Sequence, residues 1–251
     1  MNGGGIGRRN VPGVDGTSGV WSLQEIADAA RAGLWTPDPY WLNVTALLHM
    51  DGEDGSTIFT DAKGHVFTPT GATQIDTAEA KFGGSSGLFD GSGHIEASAS
   101  ADFGFGSGDY TVEGWLNTAS QSSTRGLFDT RVGGAEGIGV YSSVPSSSAT
   151  NKLVLTNNAA VIAVGSTTMP LGVWVHWAVA RAGTTVKGFI DGAEHFSVTD
   201  GRTLASSAGA RFGSDSGTSR FIGHLDEVRV TKGVARYTAS FTPPTVRFPQ
   251  M

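Results

Sequence analysis

The sequence predicts an all-β protein built from two packed antiparallel sheets, preceded by an extended N-terminal arm with one short helix. Glycine accounts for 37 of the 251 residues, which favours a turn-rich β architecture over a helical one. From Val44 onward, short apolar runs alternate with Gly, Ser, Asn and Asp turns at intervals of roughly 8–12 residues, a spacing typical of β-sandwiches. No helical segment separates these runs, so we expect the sheets to pack directly on each other.

The predicted strands are short, apolar and bounded by turn residues. They span residues 44–50, 86–90, 94–98, 109–118, 125–130, 136–142, 151–156, 160–165, 172–181, 184–191, 193–198, 209–213 and 219–230. Between two of them, Asp191-Gly192 is the clearest hairpin signal in the chain, because both residues tolerate the left-handed backbone of a tight turn.

Composition excludes several classes of function. The formal net charge of −6 disfavours nucleic acid as a partner, since phosphate contacts need clustered Lys and Arg. No apolar run approaches the roughly 18 residues of a membrane-spanning helix, and no apolar segment follows the arginines of the first ten residues as in a secretory signal. The chain has no cysteine, which excludes disulfides and thiolate metal sites.

Residues 1–43 predict an attachment arm with a helix over about 22–33. Ser22 and Glu25 form a capping box, Gly33 suits the helix end, and Pro37 prevents continuation. So short a helix is marginal alone and must pack on something. Its partner is either the protein's own sandwich or another subunit. The apolar residues offered for this contact are Trp21, Leu23, Ile26, Leu34 and Trp35.

Catalytic patterns are weak. Ser85 lies in G-x-S-x-G, but strand residues follow it where a nucleophile elbow needs a helix. Glycoside hydrolysis needs two carboxylates across the scissile bond; Glu96 and Glu113 are lone acids in their strands, and Asp226 and Glu227 are adjacent and so point to opposite faces. The sequence therefore predicts a protein that is not an enzyme.

Calcium is the cofactor that the sequence allows. Asp51 and Asp54 lie in a tight, oxygen-rich, Gly-containing turn. Asp226 alternates with Ile222 and Val228, and a carboxylate among apolar neighbours needs hydrogen bonds or a cation. The candidate ligands are thus Asp51, Asp54 and Asp226; the alternatives are a solvated acidic turn and backbone hydrogen bonds to Asp226.

Two residues of the strand 172–181 are candidates for contact with a glycan. Trp174 and His176 lie on one face of this strand and Trp177 on the other. A strand buried on both sides explains the same pattern, so core packing is the alternative interpretation.

A family resemblance rests on five stretches in order, and covers residues 44–248. They are "ALLHMDGEDGSTIFTDAKG" (46–64), "AKFGGSSGLFDGSGHIEA" (80–97), "DFGFGSGDYTVEGWLNT" (102–118), "GVWVHWAVARAGTTVKGFIDG" (172–192) and "HLDEVRVTKGVARYTASFTPP" (224–244). Together they resemble the laminin G-like branch of the concanavalin A-like jelly rolls, in the version common in tailed-phage virion proteins. The arm, "TSGVWSLQEIADAARAGLW", resembles a segment of phage structural proteins.

This resemblance implies a two-sheet jelly roll over 44–251 and a calcium at the rim of the sandwich, carried over onto Asp51 and Asp226. It implies a non-enzymatic virion surface protein, made in the host cytoplasm, that decorates the capsid and adheres weakly to glycans. The alternative is a tail or tail-fibre module that binds host carbohydrate. Its expected partners are the major capsid protein or other virion subunits, further copies of itself (a trimer, for example) and a host-surface glycan, with no nucleic acid and no membrane.

Overall fold

The computed structural model describes residues 37–118, 122–158, 160–215 and 217–250. The predicted helix over 22–33 and its contact residues Trp21, Leu23, Ile26, Leu34 and Trp35 lie outside this range. Within it, helical structure is confined to short 3₁₀ turns, and no helix is long and apolar enough to cross a membrane.

Sixteen strands form the described part of the chain. In chain order they are β1 (Val44–Leu48), β2 (Phe59–Thr60), β3 (Val66–Pro69), β4 (Gln74–Asp76), β5 (Ser86–Asp90), β6 (Ile95–Ser100), β7 (Tyr110–Asn117), β8 (Arg125–Asp129), β9 (Gly139–Ser143), β10 (Val154–Thr156), β11 (Val161–Val164), β12 (Val175–Ala182), β13 (Thr185–Ile190), β14 (Ala193–Thr199), β15 (Ala208–Phe212) and β16 (Ile222–Lys232).

The strands form two eight-stranded antiparallel sheets that pack face to face, as a jelly roll requires. Sheet 1 has the order β14-β13-β12-β7-β16-β5-β4, with β1 also paired to β16. Sheet 2 has the order β11-β10-β9-β8-β15-β6-β3-β2. Alternate side chains of both sheets meet in one apolar core, which includes Phe89, Leu116 and Trp177 of sheet 1 and Phe128 and Phe212 of sheet 2. The predicted fold class is confirmed.

Each predicted strand overlaps an observed one, whereas β2, β3 and β4 were not predicted because they are only two to four residues long. The Asp191-Gly192 hairpin is confirmed. It joins β13 to β14, with φ of +46° and +76° at the two turn residues.

A β-bulge in β16 corrects the predicted facing of Asp226. The register to β7 shifts between Asp226 and Arg229, and Glu227 has a φ of +48°. Because of this extra residue, Leu225 and Val228 both point into the core, although the sequence pattern places them on opposite faces. Asp226 does not share a face with Val228, and points away from the core.

Candidate functional site

The outer face of sheet 1, which points away from sheet 2, carries an uninterrupted row of half-buried side chains. We call it the open row, and its members are Gln74, Leu88, His224, Asn117 and Trp174. The first four are cross-strand neighbours on β4, β5, β16 and β7. Trp174 continues the row, because it directly precedes Val175, which pairs with Leu116 next to Asn117. Each of these residues adjoins a core residue in its strand, so its own side chain faces outward.

Ring and carboxylate groups lie together at the open row. The Trp174 and His224 ring centroids are 6.5 Å apart, and His224 Nε2 lies 2.8 Å from a carboxylate oxygen of Asp76. Hydrogen bonds from the Ala78 amide and from His224 hold the pKa of Asp76 below its usual range. The indole Nε1 of Trp174 has no hydrogen-bond partner within the described ranges. Leu171 and Val173, just before the tryptophan, are exposed.

This combination suits a neutral polyhydroxylated ligand. An indole offers an apolar surface for the C–H groups of a sugar ring, while amide, imidazole and carboxylate groups can exchange hydrogen bonds with its hydroxyls. The two amides of the row, Gln74 and Asn117, can each both donate and accept. The open row therefore has the chemistry of a shallow saccharide-binding surface.

Two residues further along β7, β12 and β16, other segments of the chain cover the outer face of sheet 1. We call this region the sealed centre, and its members are Asp226, Trp115, His176, Glu113 and Arg229, all buried. Residues 235–241 of the C-terminal tail lie over it, and the rings of Tyr237 and Phe241 stack 3.6 Å apart there. Phe241 packs edge-on against His176, with 5.7 Å between the ring centroids.

Gly192 lets the tail approach the sheet. Its carbonyl accepts a hydrogen bond of 2.9 Å from the Phe241 amide. A Cβ at this position would lie 1.8 Å from the carbonyl oxygen of Phe241, and the φ of +76° also favours glycine. The turn that the sequence predicts as a hairpin signal is thus also the point where the tail is fastened.

A fully buried carboxylate organises the sealed centre. Glu113 accepts two hydrogen bonds from Arg229, of 3.0 and 2.8 Å, and one of 2.7 Å from the Tyr237 hydroxyl. His176 Nε2 lies 3.3 Å from it. Burial alone would raise the pKa of Glu113, but the charge of Arg229 and the contact with His176 outweigh burial and hold it well below its usual range.

The same network reaches the segment before the first strand. Both oxygens of Asp38 accept from Arg236, at 2.9 and 2.6 Å, and Arg229 adds a bond of 3.0 Å. Burial opposes ionisation of Asp38, but these arginines and the Tyr40 amide lower its pKa. Asp38 therefore joins the N-terminal segment, the central strand β16 and the C-terminal tail.

Asp226 is held by main-chain donors. One oxygen accepts from the amides of Lys81 and Phe82, at 2.9 and 3.0 Å, and the other from the amide of Glu227 at 2.8 Å. Burial, the largest effect, and the neighbouring Glu227 carboxylate raise the pKa of Asp226 to about 8, against the three amides that lower it. Above it, Phe82 packs edge-on to Trp115, and Lys81 Nζ lies 3.9 Å from the centre of the indole.

A comparison with models of protein families identifies the family of this chain. The model of the Laminin_G_3 family, described as the concanavalin A-like lectin/glucanases superfamily, matches residues 89–236, more than half of the chain. This chain belongs to the Laminin_G_3 family. A search of curated proteins found no match.

Solved structures similar to this Laminin_G_3 chain include domain 4 of AbnA, a GH43 extracellular arabinanase from Geobacillus stearothermophilus, in complex with arabinotriose. The identity is 22%, the TM-score 0.59, and the match covers 77% of this chain and 94% of that one. The binding domain of botulinum neurotoxin DC in complex with SialylT is 10% identical, with a TM-score of 0.53 and coverages of 78% and 49%. Trypanosoma rangeli sialidase in complex with sialic acid is 11% identical, with a TM-score of 0.54 and coverages of 77% and 31%. These likenesses show the fold alone.

The structure does not bring the three candidate calcium ligands of the Laminin_G_3 domain together. Asp51 contacts Arg247 at 2.5 Å, Asp54 accepts from the Thr77 amide at 3.2 Å, and Asp226 is held by the amides described above. No group of three or more carboxylate or imidazole side chains suited to a metal lies within the described ranges. The residues present thus do not fit a shared calcium site, and amide hydrogen bonds explain Asp226.

The two candidate glycan-facing residues, Trp174 and His176, differ in their exposure. Trp174 lies in the open row, half-buried. His176 shares its face but has no exposed surface, so the expectation that it contacts a glycan is corrected: the tail covers it. Sequence reasoning missed His224, although its alternation with Leu225 marks it as outward-facing, because strand pairing is needed to set it beside Trp174.

Proposed function

We propose that this Laminin_G_3 domain is a non-enzymatic carbohydrate-binding module and that the open row is its sugar-contacting surface. One observation carries this proposal: the open row sets a half-buried indole beside an imidazole that contacts a carboxylate, on the outer face of sheet 1 next to the sealed centre. Saccharide sites in general combine an apolar platform with a few placed polar groups.

The solved structures of similar fold support carbohydrate as the class of ligand. The arabinanase domain was solved with arabinotriose, the neurotoxin domain with SialylT, and the sialidase with sialic acid. Since a fold hosts many functions, the assignment to this chain rests on the chemistry of the open row.

The carboxylates near the row support a binding role rather than hydrolysis. A glycosidase needs one carboxyl group that is protonated at the working pH and can reach the glycosidic oxygen. Asp76 lies at the surface, but its pKa is lowered. Asp226 has the raised pKa that a general acid needs, but it is buried beneath Lys81 and Phe82. Asp76 is therefore accessible but is ionised at neutral pH, whereas Asp226 can hold a proton but cannot reach a bound sugar.

The test measures binding of arabinotriose and of an array of neutral oligosaccharides to the full chain. Trp174→Ala should weaken the binding of any recognised sugar by about tenfold or more, as expected for loss of a stacking platform. Tyr40→Ala is the matched control, because Tyr40 is an aromatic residue that is 41% exposed and whose ring lies against Arg236, which is not a member of the row. Equal affinity of the wild type and Trp174→Ala, or no binding of any neutral sugar, would overturn the proposal.

We further propose that the chain is a virion surface protein, anchored by its N-terminal arm as a capsid decoration protein that forms homo-oligomers; a tail-associated adhesion module is the alternative. The sequence resemblance to phage structural proteins supports this. So does the fixed position of Asp38, which Arg229 and Arg236 hold against the sandwich.

Co-sedimentation with particles stripped of this protein tests the anchor. The full chain should rebind, and a chain that starts at Pro37 should not. Starting at Pro37 rather than Val44 keeps Asp38 and its partners, so that loss of binding reports on the arm rather than on damage to the sandwich. Rebinding of both chains would contradict an anchor within residues 1–36.

A further inference from the structure

Two arginines at one end of sheet 2 have no acidic partner among the residues that the structure describes. Arg125 begins β8, and Arg220 lies in the loop between β15 and β16. The ion pairs of the described residues include other arginines, such as Arg211 with Glu96 and Arg202 with Asp200, but neither of these two. Both are half-buried, so part of their hydration is lost without a carboxylate to replace it.

A hydrogen bond joins the side chain of Arg125 to the main chain of Arg220. Arg125 Nη1 donates to the main-chain carbonyl of Arg220 at 2.9 Å. The Nε of Arg125 is buried and has no hydrogen-bond partner within the described ranges. Burial lowers the pKa of Arg125, and no neighbouring charge acts in the opposite direction. A guanidinium group in these surroundings would be stabilised by an anion.

The second arginine is positioned by neutral groups. Arg220 Nη1 donates to Ser214 Oγ at 3.0 Å and to His94 Nδ1 at 2.5 Å. Burial and the charges of Arg211 and Arg220 lower the pKa of His94 to about 4, so its ring is neutral near pH 7. His94 therefore orients Arg220 without neutralising it.

The loop that carries Arg220 is held close over the sheet. The side chain of Asp215 accepts from the amides of Gly217 and Ser219, both at 2.9 Å, and from the Tyr141 hydroxyl at 3.2 Å. A Cβ on Gly126 would lie 2.5 Å from the Asp215 amide nitrogen, so glycine permits this approach. The two nearby carboxylates are thus already engaged, Asp215 by its own turn and Glu96 by Arg211.

We propose that Arg125 and Arg220 bind the anionic group, a carboxylate or a sulfate, of an acidic saccharide. Guanidinium groups pair with such planar or multi-oxygen anions through charge-assisted hydrogen bonds. The exposed residues Ser122 and Ser123 lie three and two residues before Arg125 in the sequence. Since the chain has a net charge of −6, attraction of an anion here is local rather than a property of the whole surface. The inference rests on the proposed carbohydrate class but concerns a site on the other sheet.

The experiment compares trigalacturonate with neutral galactotriose, binding to the full chain, and uses inorganic sulfate as competitor. The wild type should prefer trigalacturonate, and the double variant Arg125→Gln/Arg220→Gln should lose about tenfold or more of that affinity. Sulfate should compete in the wild type. Arg202→Gln, which removes an arginine already paired with Asp200, is the matched control and should bind as the wild type does.

The outcomes separate this site from the open row. Equal affinity of the wild type and the double variant for trigalacturonate, with both folded by thermal melting, would overturn the proposal, as would no preference of the wild type over galactotriose. In a third outcome, trigalacturonate binding depends on the arginines while Trp174→Ala changes the affinity for no sugar. That result would support the anion site and contradict the proposal that the open row contacts sugar.

Discussion

The open row and the sealed centre lie on the same strands of sheet 1, about two residues apart, and yet one is accessible and the other is not. At the start of β12 the boundary falls between Trp174, which directly precedes this strand, and His176; on β7 it falls between Asn117 and Trp115. Both regions contain an aromatic ring and a histidine next to a carboxylate, which is Asp76 at the open row and Glu113 in the sealed centre. Similar side chains on one face of sheet 1 are therefore partly exposed in the open row and buried in the sealed centre.

The difference comes from segments that lie over the sheet rather than from the sheet itself. Residues 81–82 cover Asp226 and Trp115, the tail covers His176 and Glu113, and Asp38 closes the network. The five side chains of the open row keep part of their exposure. Accessibility on this face is therefore decided by chain segments distant in sequence from the strands.

The largest expected effect comes from breaking the sealed centre. Arg229→Ala leaves the Glu113 carboxylate buried without its main cation, which should lower the free energy of unfolding by about 3–5 kcal/mol. Arg202→Ala removes an arginine from a more exposed pair with Asp200 and should cost about 0–1 kcal/mol. Urea unfolding of both variants measures the difference. Equal losses would mean that the centre is not sealed as described.

A second prediction concerns the N-terminal edge of the network. A chain starting at Val44 lacks Asp38, so Arg229 and Arg236 lose a buried acceptor that they share. We expect its free energy of unfolding to be about 2 kcal/mol lower than that of a chain starting at Pro37, in the range of a lost hydrogen bond to a charged group. Asp38→Ala in the full chain should show a similar loss. If the two shortened chains unfold at the same urea concentration, Asp38 does not bind the segment to the sandwich.

The third prediction concerns the dependence of the free energy of unfolding on pH. The pKa of Asp226 is raised from 3.8 to about 8, so the folded state holds its proton over a range in which the unfolded state has lost it. The free energy of unfolding should therefore fall as the pH rises from about 4 through 8, with a slope of up to about 1.4 kcal/mol per pH unit from this group. Asp226→Asn should flatten this slope. A wild type and a variant with parallel pH profiles would contradict the assignment.

The sequence predicts the two-sheet fold because alternation and turn spacing are local signals. It also places Trp174 and His176 on one face, which is correct. It does not predict that Phe241 covers His176, since that contact depends on a tail after the last strand. The bulge at Glu227 escapes prediction for a related reason: an inserted residue changes the facing of Asp226 without altering any local pattern.

The candidate site is recoverable from sequence only in part. Trp174 and its outward facing follow from the strand pattern, and Asp76 lies in a strand too short to predict. What joins Trp174, His224 and Asp76 is the strand order β4-β5-β16-β7-β12, in which neighbours in space are distant along the chain. Pairing of that kind needs the folded structure.

The most direct test of this division is an NMR titration of the full chain with a neutral oligosaccharide that it binds, followed at the indole N–H signals of its six tryptophans. We expect the Trp174 signal to shift in proportion to bound sugar, while the signals of Trp115 in the sealed centre and of Trp177 in the core stay in place. A shift of the Trp115 signal without one at Trp174 would contradict this expectation, because the sugar would then enter the face that the tail and residues 81–82 cover.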